Sequence, residues 1–144
     1  MKRFFCMILV LLMTLVSAVP VYADNGAANV NPQGIISPQF TYISYLNPGL
    51  SISSSGLATC LGAAAGYFDS YTTVVTAELQ KSSGSSWSKM KTWTASATGA
   101  AIASVEGEYY VVHGTYRVCA TAKIYDASGK LLETQSLYSP MVTY

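Results

Sequence analysis

The chain has 144 residues, of which 51% are hydrophobic and 10% charged. Eight basic residues face seven acidic ones, a formal net charge of +1. That balance excludes a strong electrostatic footprint for nucleic acid or for an anionic lipid surface.

The chain opens Met1-Lys2-Arg3 and runs apolar from Phe4 to Val16. Val21-Tyr22-Ala23 then places a small residue just before Asp24. A short positive region, an apolar run shorter than the roughly 20 residues of a membrane span, and an A-x-A-like site together read as a signal peptide, residues 1–23. Cys6 leaves with it, as do Lys2 and Arg3, so the mature chain carries a charge near −1 with Arg117 as its one arginine. The expectation is a secreted, extracellular protein, released or held at the surface by non-covalent contacts only, with no membrane span. Residues 24–38, rich in Asn, Gly, Ala and Pro without a period, read as a flexible lead-in. The folded domain is expected at 39–144.

From Gln39 the texture becomes alternating. Phe40–Leu46 interleaves aromatic and β-branched residues with polar ones, and Asn47-Pro48-Gly49 reads as its stop. Residues 57–68 are small and apolar. Residues 71–80 are dense in Thr and Val, Lys81–Ser86 form a turn, and 87–95 return from it. A weak strand is expected at 101–105, a turn at Glu106-Gly107-Glu108, then strands at 109–113 and 115–125. Asp126–Gly129 is a second turn and 131–139 returns from it. Short strands at close spacing predict an all-β fold, an antiparallel immunoglobulin-like sandwich of about seven to eight strands. The Ala-rich stretches 58–65 and 95–103 are where a helical turn would interrupt that pattern.

Cys60 and Cys119 remain after cleavage, and an even count in a secreted domain points to a disulfide. It would close a loop of about 60 residues and restrain the unfolded chain by roughly 4 kcal/mol. An early and a late strand are also the positions that immunoglobulin-like sandwiches bridge. Yet Arg117, not tyrosine, stands two residues before Cys119, and Tyr116 stands three before. Val118, Ala120, Ala122 and Ile124 share one face of their strand, and Arg117, Cys119, Thr121 and Lys123 the other, so the bridge is expected on a sheet face rather than through the core. Leu57-Ala58-Thr59-Cys60 also resembles the L-x-T-C run around the sortase nucleophile. Sortases run His, Cys, Arg along the chain, whereas here the order is Cys60, His113, Arg117.

The remaining polar residues carry no catalytic pattern. His113 is the only histidine and reads as a strand-end residue. No zinc spacing, phosphate loop or calcium loop occurs, so no metal or cofactor is expected. The composition signal is aromatic, with 11 Tyr and two Trp against four Phe. On an unbroken strand Trp87, Lys89, Lys91 and Trp93 share a face that would stack sugar rings or contact a protein. The competing arrangement is a bulge that sends one Trp into the core while Lys stems cover the other.

Several short runs together resemble a family of small secreted Gram-positive bacterial proteins classed as a domain of unknown function. They are Ile36-Ser37-Pro38 before Tyr42-Ile43, Gly56-Leu57-Ala58 with Gly62, and Leu79-Gln80 before Trp87. Gly114, Tyr116, Arg117 and Val118 follow, then Gly129 and Glu133-Thr134. The resemblance implies a secreted β-sandwich and transfers no site residues. The function expected is a non-catalytic extracellular module binding cell wall, glycan or another protein, with Trp87 and Trp93 as contacts. The alternative is a secreted effector, a toxin or antimicrobial protein acting on other cells.

Overall fold

Period-two alternation folds residues 39–144, those described by the computed structural model, into strands joined by short turns. The signal peptide expected at 1–23, Cys6 and the lead-in at 24–38 lie outside the described residues. Eight strands follow in order: β1 (Ile43–Ile52), β2 (Leu57–Gly66), β3 (Thr72–Ser83), β4 (Ser86–Thr98), β5 (Ala103–Tyr110), β6 (Thr115–Tyr125), β7 (Leu131–Tyr138) and β8 (Val142–Thr143). All pairings are antiparallel. A first sheet has the order β1-β2-β5, and a second has β4-β3-β6-β7, with β8 pairing the start of β6. Among the described residues no helix interrupts this pattern, and the Ala-rich stretches are strand.

Those alanines set how closely the sheets approach. The inward positions of β2 are Ala58, Cys60, Gly62, Ala64 and Gly66, and a Cβ at Gly62 would lie 3.0 Å from Cβ of Ala77 on β3. The larger side chains fill two neighbouring clusters. Ile43, Val75 and Ile124 pack with Ala64, Ala120 and Ala122, while Leu79, Tyr116 and Val118 pack with Ala58, Cys60 and Ala77. Fully burying side chains of the Val, Leu and Ile size contributes about 1.5–3 kcal/mol each.

Of the expected turns, Lys81–Ser86 narrows to Gly84-Ser85, because Lys81–Ser83 pair with Ser86–Ser88, and two others are wholly strand. β1 continues through Asn47-Pro48-Gly49, which pairs residue by residue with Ala63, Gly62 and Leu61. As an edge strand it accommodates a proline, because the missing N–H faces away from the ladder. The chain reverses instead at Ser53–Gly56, where Gly56 has φ of +81° and the Ser53 hydroxyl accepts from the Leu57 N–H. Likewise, Glu106-Gly107-Glu108 lies inside β5 opposite Leu61, Cys60 and Thr59. Gly107 is there because the Trp93 indole of β4 packs on its Cα, where any Cβ would overlap the ring.

At the other edge Glu133 on β7 ties the start of β1 to the second sheet. Its carboxylate accepts from the backbone N–H groups of Thr41 (3.2 Å), Tyr42 (2.7 Å) and Ile43 (3.0 Å). Partial burial alone would raise the Glu133 pKa, but these donors outweigh it and hold the carboxyl below its usual range.

Tyr116 fastens the crossing from β5 to β6. Its ring is fully buried and its hydroxyl donates to the carbonyl of Val112, four residues upstream, at 2.7 Å. This is a tyrosine corner. The residue two beyond such a tyrosine is where an immunoglobulin domain places its second cysteine, and here that residue is Val118, which packs in the same cluster as Cys60. Cys119 is one residue out of phase and faces away from the core. The expected Cys60–Cys119 bridge is therefore absent and both cysteines are free. Cys60, on β2 of the first sheet, faces the core between the sheets, whereas Cys119, on β6 of the second, faces outward, so the body of the second sheet separates the two thiols.

Candidate functional site

The outward face of the second sheet is built by residues that alternate with its buried positions. β6 contributes Arg117, Cys119, Thr121 and Lys123, and β3 contributes Val74, Thr76, Glu78 and Gln80. Antiparallel pairing sets Thr94 beside Thr76, Ser136 beside Thr121 and Tyr138 beside Cys119. Hydroxyls bridge the strands, with Oγ1 of Thr76 and Thr94 3.2 Å apart and Thr121 Oγ1 2.7 Å from Ser136 Oγ.

A bulge decides which tryptophan joins this face. Leu79 pairs with Lys91 and Gln80 with Lys89, so Met90 is an extra residue on β4 and the strand changes phase there. Trp93, opposite Ala77, points inward over Gly107 and packs against the core. Trp87, opposite Ser82, lies on the outward face. The stripe of Trp87, Lys89, Lys91 and Trp93 on one face is not formed, and only Trp87 is placed to meet a ligand. An arginine, rather than lysine stems, covers it.

Arg117 is held between two rings. Its guanidinium carbon lies 4.0 Å from the Trp87 ring centroid and 3.9 Å from that of Tyr138. Nε donates to Oε1 of Gln80 at 2.8 Å, and Gln80 Nε2 donates to Oε1 of Glu78 at 2.7 Å. The second Glu78 oxygen pairs with Lys89 Nζ at 2.7 Å. Burial would raise the Glu78 pKa, but Gln80 and Lys89 prevail and lower it, while the same carboxylate raises that of Lys89. Four strands thus hold one cation: β4 and β7 supply its rings, β3 its hydrogen-bond partner and β6 the arginine. Stacked guanidinium–aromatic contacts contribute about 0.5–2 kcal/mol each, depending on desolvation.

The other candidate residues lie elsewhere. Cys60 is sealed in the core and burial pushes its thiol up to about 11, which leaves it protonated near neutral pH. His113 sits in the β5–β6 connection and stacks on Tyr144 at 4.8 Å. Glu106 and Glu108 are exposed on the outer face of the first sheet. Among the described residues no three His, Cys, Asp or Glu side chains converge as a metal would require.

Among the described residues the basic side chains all belong to the second sheet, which also carries Glu78 and Glu133. Lys81, Lys89, Lys91, Arg117 and Lys123 are on strands of the second sheet, and Lys130 is in its β6–β7 turn. The strands of the first sheet carry no basic residue and two acids, Glu106 and Glu108. Tyr138 and Gln80, which complete the arginine clamp, were not legible as site residues because their neighbours come from strand pairing. A further feature is aromatic: Tyr67 and Phe68 in the β2–β3 loop and Ile102 in the β4–β5 loop are each more than half exposed. The Gly99 N–H donates to the Tyr71 carbonyl, which joins those two loops.

Sheet order and tyrosine corner together define an immunoglobulin-like β-sandwich in which a three-stranded sheet faces a five-stranded one and β4 lies beside β3 rather than beside β5. No protein-family model matches the chain, and a search of curated proteins returns no match.

Proposed function

We propose that the protein is a secreted, non-catalytic module that binds cell-wall polysaccharide at the surface of a Gram-positive bacterium through the outward face of its second sheet. The observation that carries this reading is the clamp: Arg117 fixes Trp87 and Tyr138 on a solvent-facing sheet. Rings held in that way lose little conformational freedom on contact, and Tyr and Trp are the residues that anchor binding surfaces. The neighbouring Thr and Ser hydroxyls offer donors and acceptors to sugar hydroxyls. A non-catalytic role is supported by the sealed Cys60, whose thiol stays protonated near neutral pH.

Co-sedimentation of the purified protein with bacterial cell walls and insoluble polysaccharides tests the reading. The wild type is expected to bind saturably, and the pair Trp87→Ala, Tyr138→Ala to lose that binding while remaining folded. A wild type that stays in the supernatant, or a double variant that sediments equally well, rejects it. The exposed Tyr67, Phe68 and Ile102 favour a second reading, a secreted effector that contacts other cells through its loop end. Absence of growth inhibition by micromolar protein in neighbouring strains removes that second reading.

A further inference from the structure

The clamp leaves part of Arg117 unused. Both faces of the guanidinium are covered by rings and Nε is engaged by Gln80. Among the described residues no group accepts a hydrogen bond from Nη1 or Nη2, and the one ion pair is that of Lys89 with Glu78. Glu78 is the nearest carboxylate along the hydrogen-bond chain, and Lys89 and Gln80 already hold both of its oxygens. The result is a cation whose position is fixed and whose charge has no counter-ion among the described residues.

We propose that the terminal edge of Arg117 is a receptor for the carboxylate of an acidic polysaccharide, an inference that rests on the wall-binding reading above and specifies its ligand. A guanidinium offers two parallel N–H groups on one edge, which match the two oxygens of a carboxylate. The flanking rings confine an approaching anion to the guanidinium plane, a slot that suits a flat carboxylate, and they present apolar surface to the sugar that bears it. Position and charge are set before the ligand arrives, so little ordering is lost on binding. The surrounding field has the matching sign. Lys89, Arg117 and Lys123 lie on this face against Glu78 alone, while Glu106 and Glu108 lie on the outer face of the opposite sheet. An anionic polymer is therefore drawn to one side of the sandwich, although the net charge of the chain is close to zero.

Affinity measurements with three soluble polymers test this: polygalacturonate, its methyl ester and poly(glycerol phosphate). The expected result is binding to polygalacturonate that weakens with salt and is at least about tenfold weaker for the methyl ester. Arg117→Gln is expected to lose about as much, and Arg117→Lys, which keeps the charge without the fork, to lose most of it. Thermal melting of each variant confirms folding, and the ester comparison uses unaltered protein. Equal binding of acid and ester overturns the inference, as does an undiminished Arg117→Lys, or poly(glycerol phosphate) bound as tightly as the carboxylate polymer. Wall binding that persists in Arg117→Gln overturns the carboxylate receptor and leaves the wall-binding module standing. Carboxylate binding without wall sedimentation does the reverse.

Discussion

Replacing Gly107 by alanine adds one methyl group at the most crowded point between the sheets. That carbon would sit within the Trp93 indole, so the ring must leave its place over β5 or the sheets must part. Overpacking of this kind costs about 1–3 kcal/mol. For a domain of roughly 100 residues that corresponds to a melting temperature lowered by about 5–20 °C. The attribution is tested by a double-mutant cycle. Trp93→Ala alone removes a half-buried ring that packs against the Leu79, Tyr116 and Val118 cluster, at about 3 kcal/mol. Without the ring the new methyl group has room, and alanine is better suited than glycine to a strand interior by roughly 0.5–1 kcal/mol. Gly107→Ala is thus neutral or stabilising in the Trp93→Ala background, and the two changes couple by more than about 1 kcal/mol. Urea and thermal denaturation followed by circular dichroism on the four proteins measures this. A Gly107→Ala protein that melts with the wild type, or one that loses as much with alanine at 93, refutes the packing argument.

Cys60 and Cys119 are both free, so protein comprising residues 24–144 is expected to show no mass change on reduction. Iodoacetamide should add one label in the native state, at Cys119, and a second at Cys60 only after denaturation; a native protein that takes no label contradicts the structure. Glu133→Gln is expected to cost about 1–3 kcal/mol at neutral pH through weakened charge-assisted bonds to Thr41, Tyr42 and Ile43. The folded-state pKa of Glu133 is depressed, so its contribution is present above the usual 4.5 and is lost as pH falls through the lower folded value. The gap in urea midpoint between wild type and variant should accordingly close on acidification, and a gap independent of pH down to 3 argues against the carboxylate's role. Thr73 is fully buried and its hydroxyl has no hydrogen-bond partner among the described residues. Thr73→Val should raise stability by about 1 kcal/mol in the same denaturation assay, and a loss of that size would show that the hydroxyl is satisfied.

Much of this architecture is written in local pattern. The Thr- and Val-dense run 71–80 marks most of β3, alternation in 115–125 marks β6, and Gly129 marks the turn after β6, because these are properties of a few adjacent residues. What escapes local reading depends on pairing. Pro48 and Gly49 look like a stop, but an edge strand tolerates both. Gly107 looks like a turn residue, and its reason for being glycine is an indole 14 positions earlier in the chain on another sheet. The extra residue Met90 leaves no local signature, yet it alone separates Trp87 from Trp93. Cys119 illustrates the opposite case. Its polar-face alternation with Arg117 and Thr121 already indicates an outward thiol, and the tyrosine corner at Tyr116 explains the offset by assigning the core position to Val118. Net charge conceals the electrostatics, because the bases of the described residues all belong to the second sheet while the acids are spread over both.

The central claim is that ligand meets the outward face of the second sheet. Its most direct test is a titration of isotope-labelled protein with soluble cell-wall fragments, following backbone amide and indole chemical shifts. The account predicts that Gln80, Trp87, Arg117, Thr121 and Tyr138 shift together and saturably while Trp93 and Glu106 stay fixed. Shifts confined to Leu57 and Glu108–Tyr110 on the first sheet, or to Tyr67, Phe68 and Ile102 at the loop end, would contradict it.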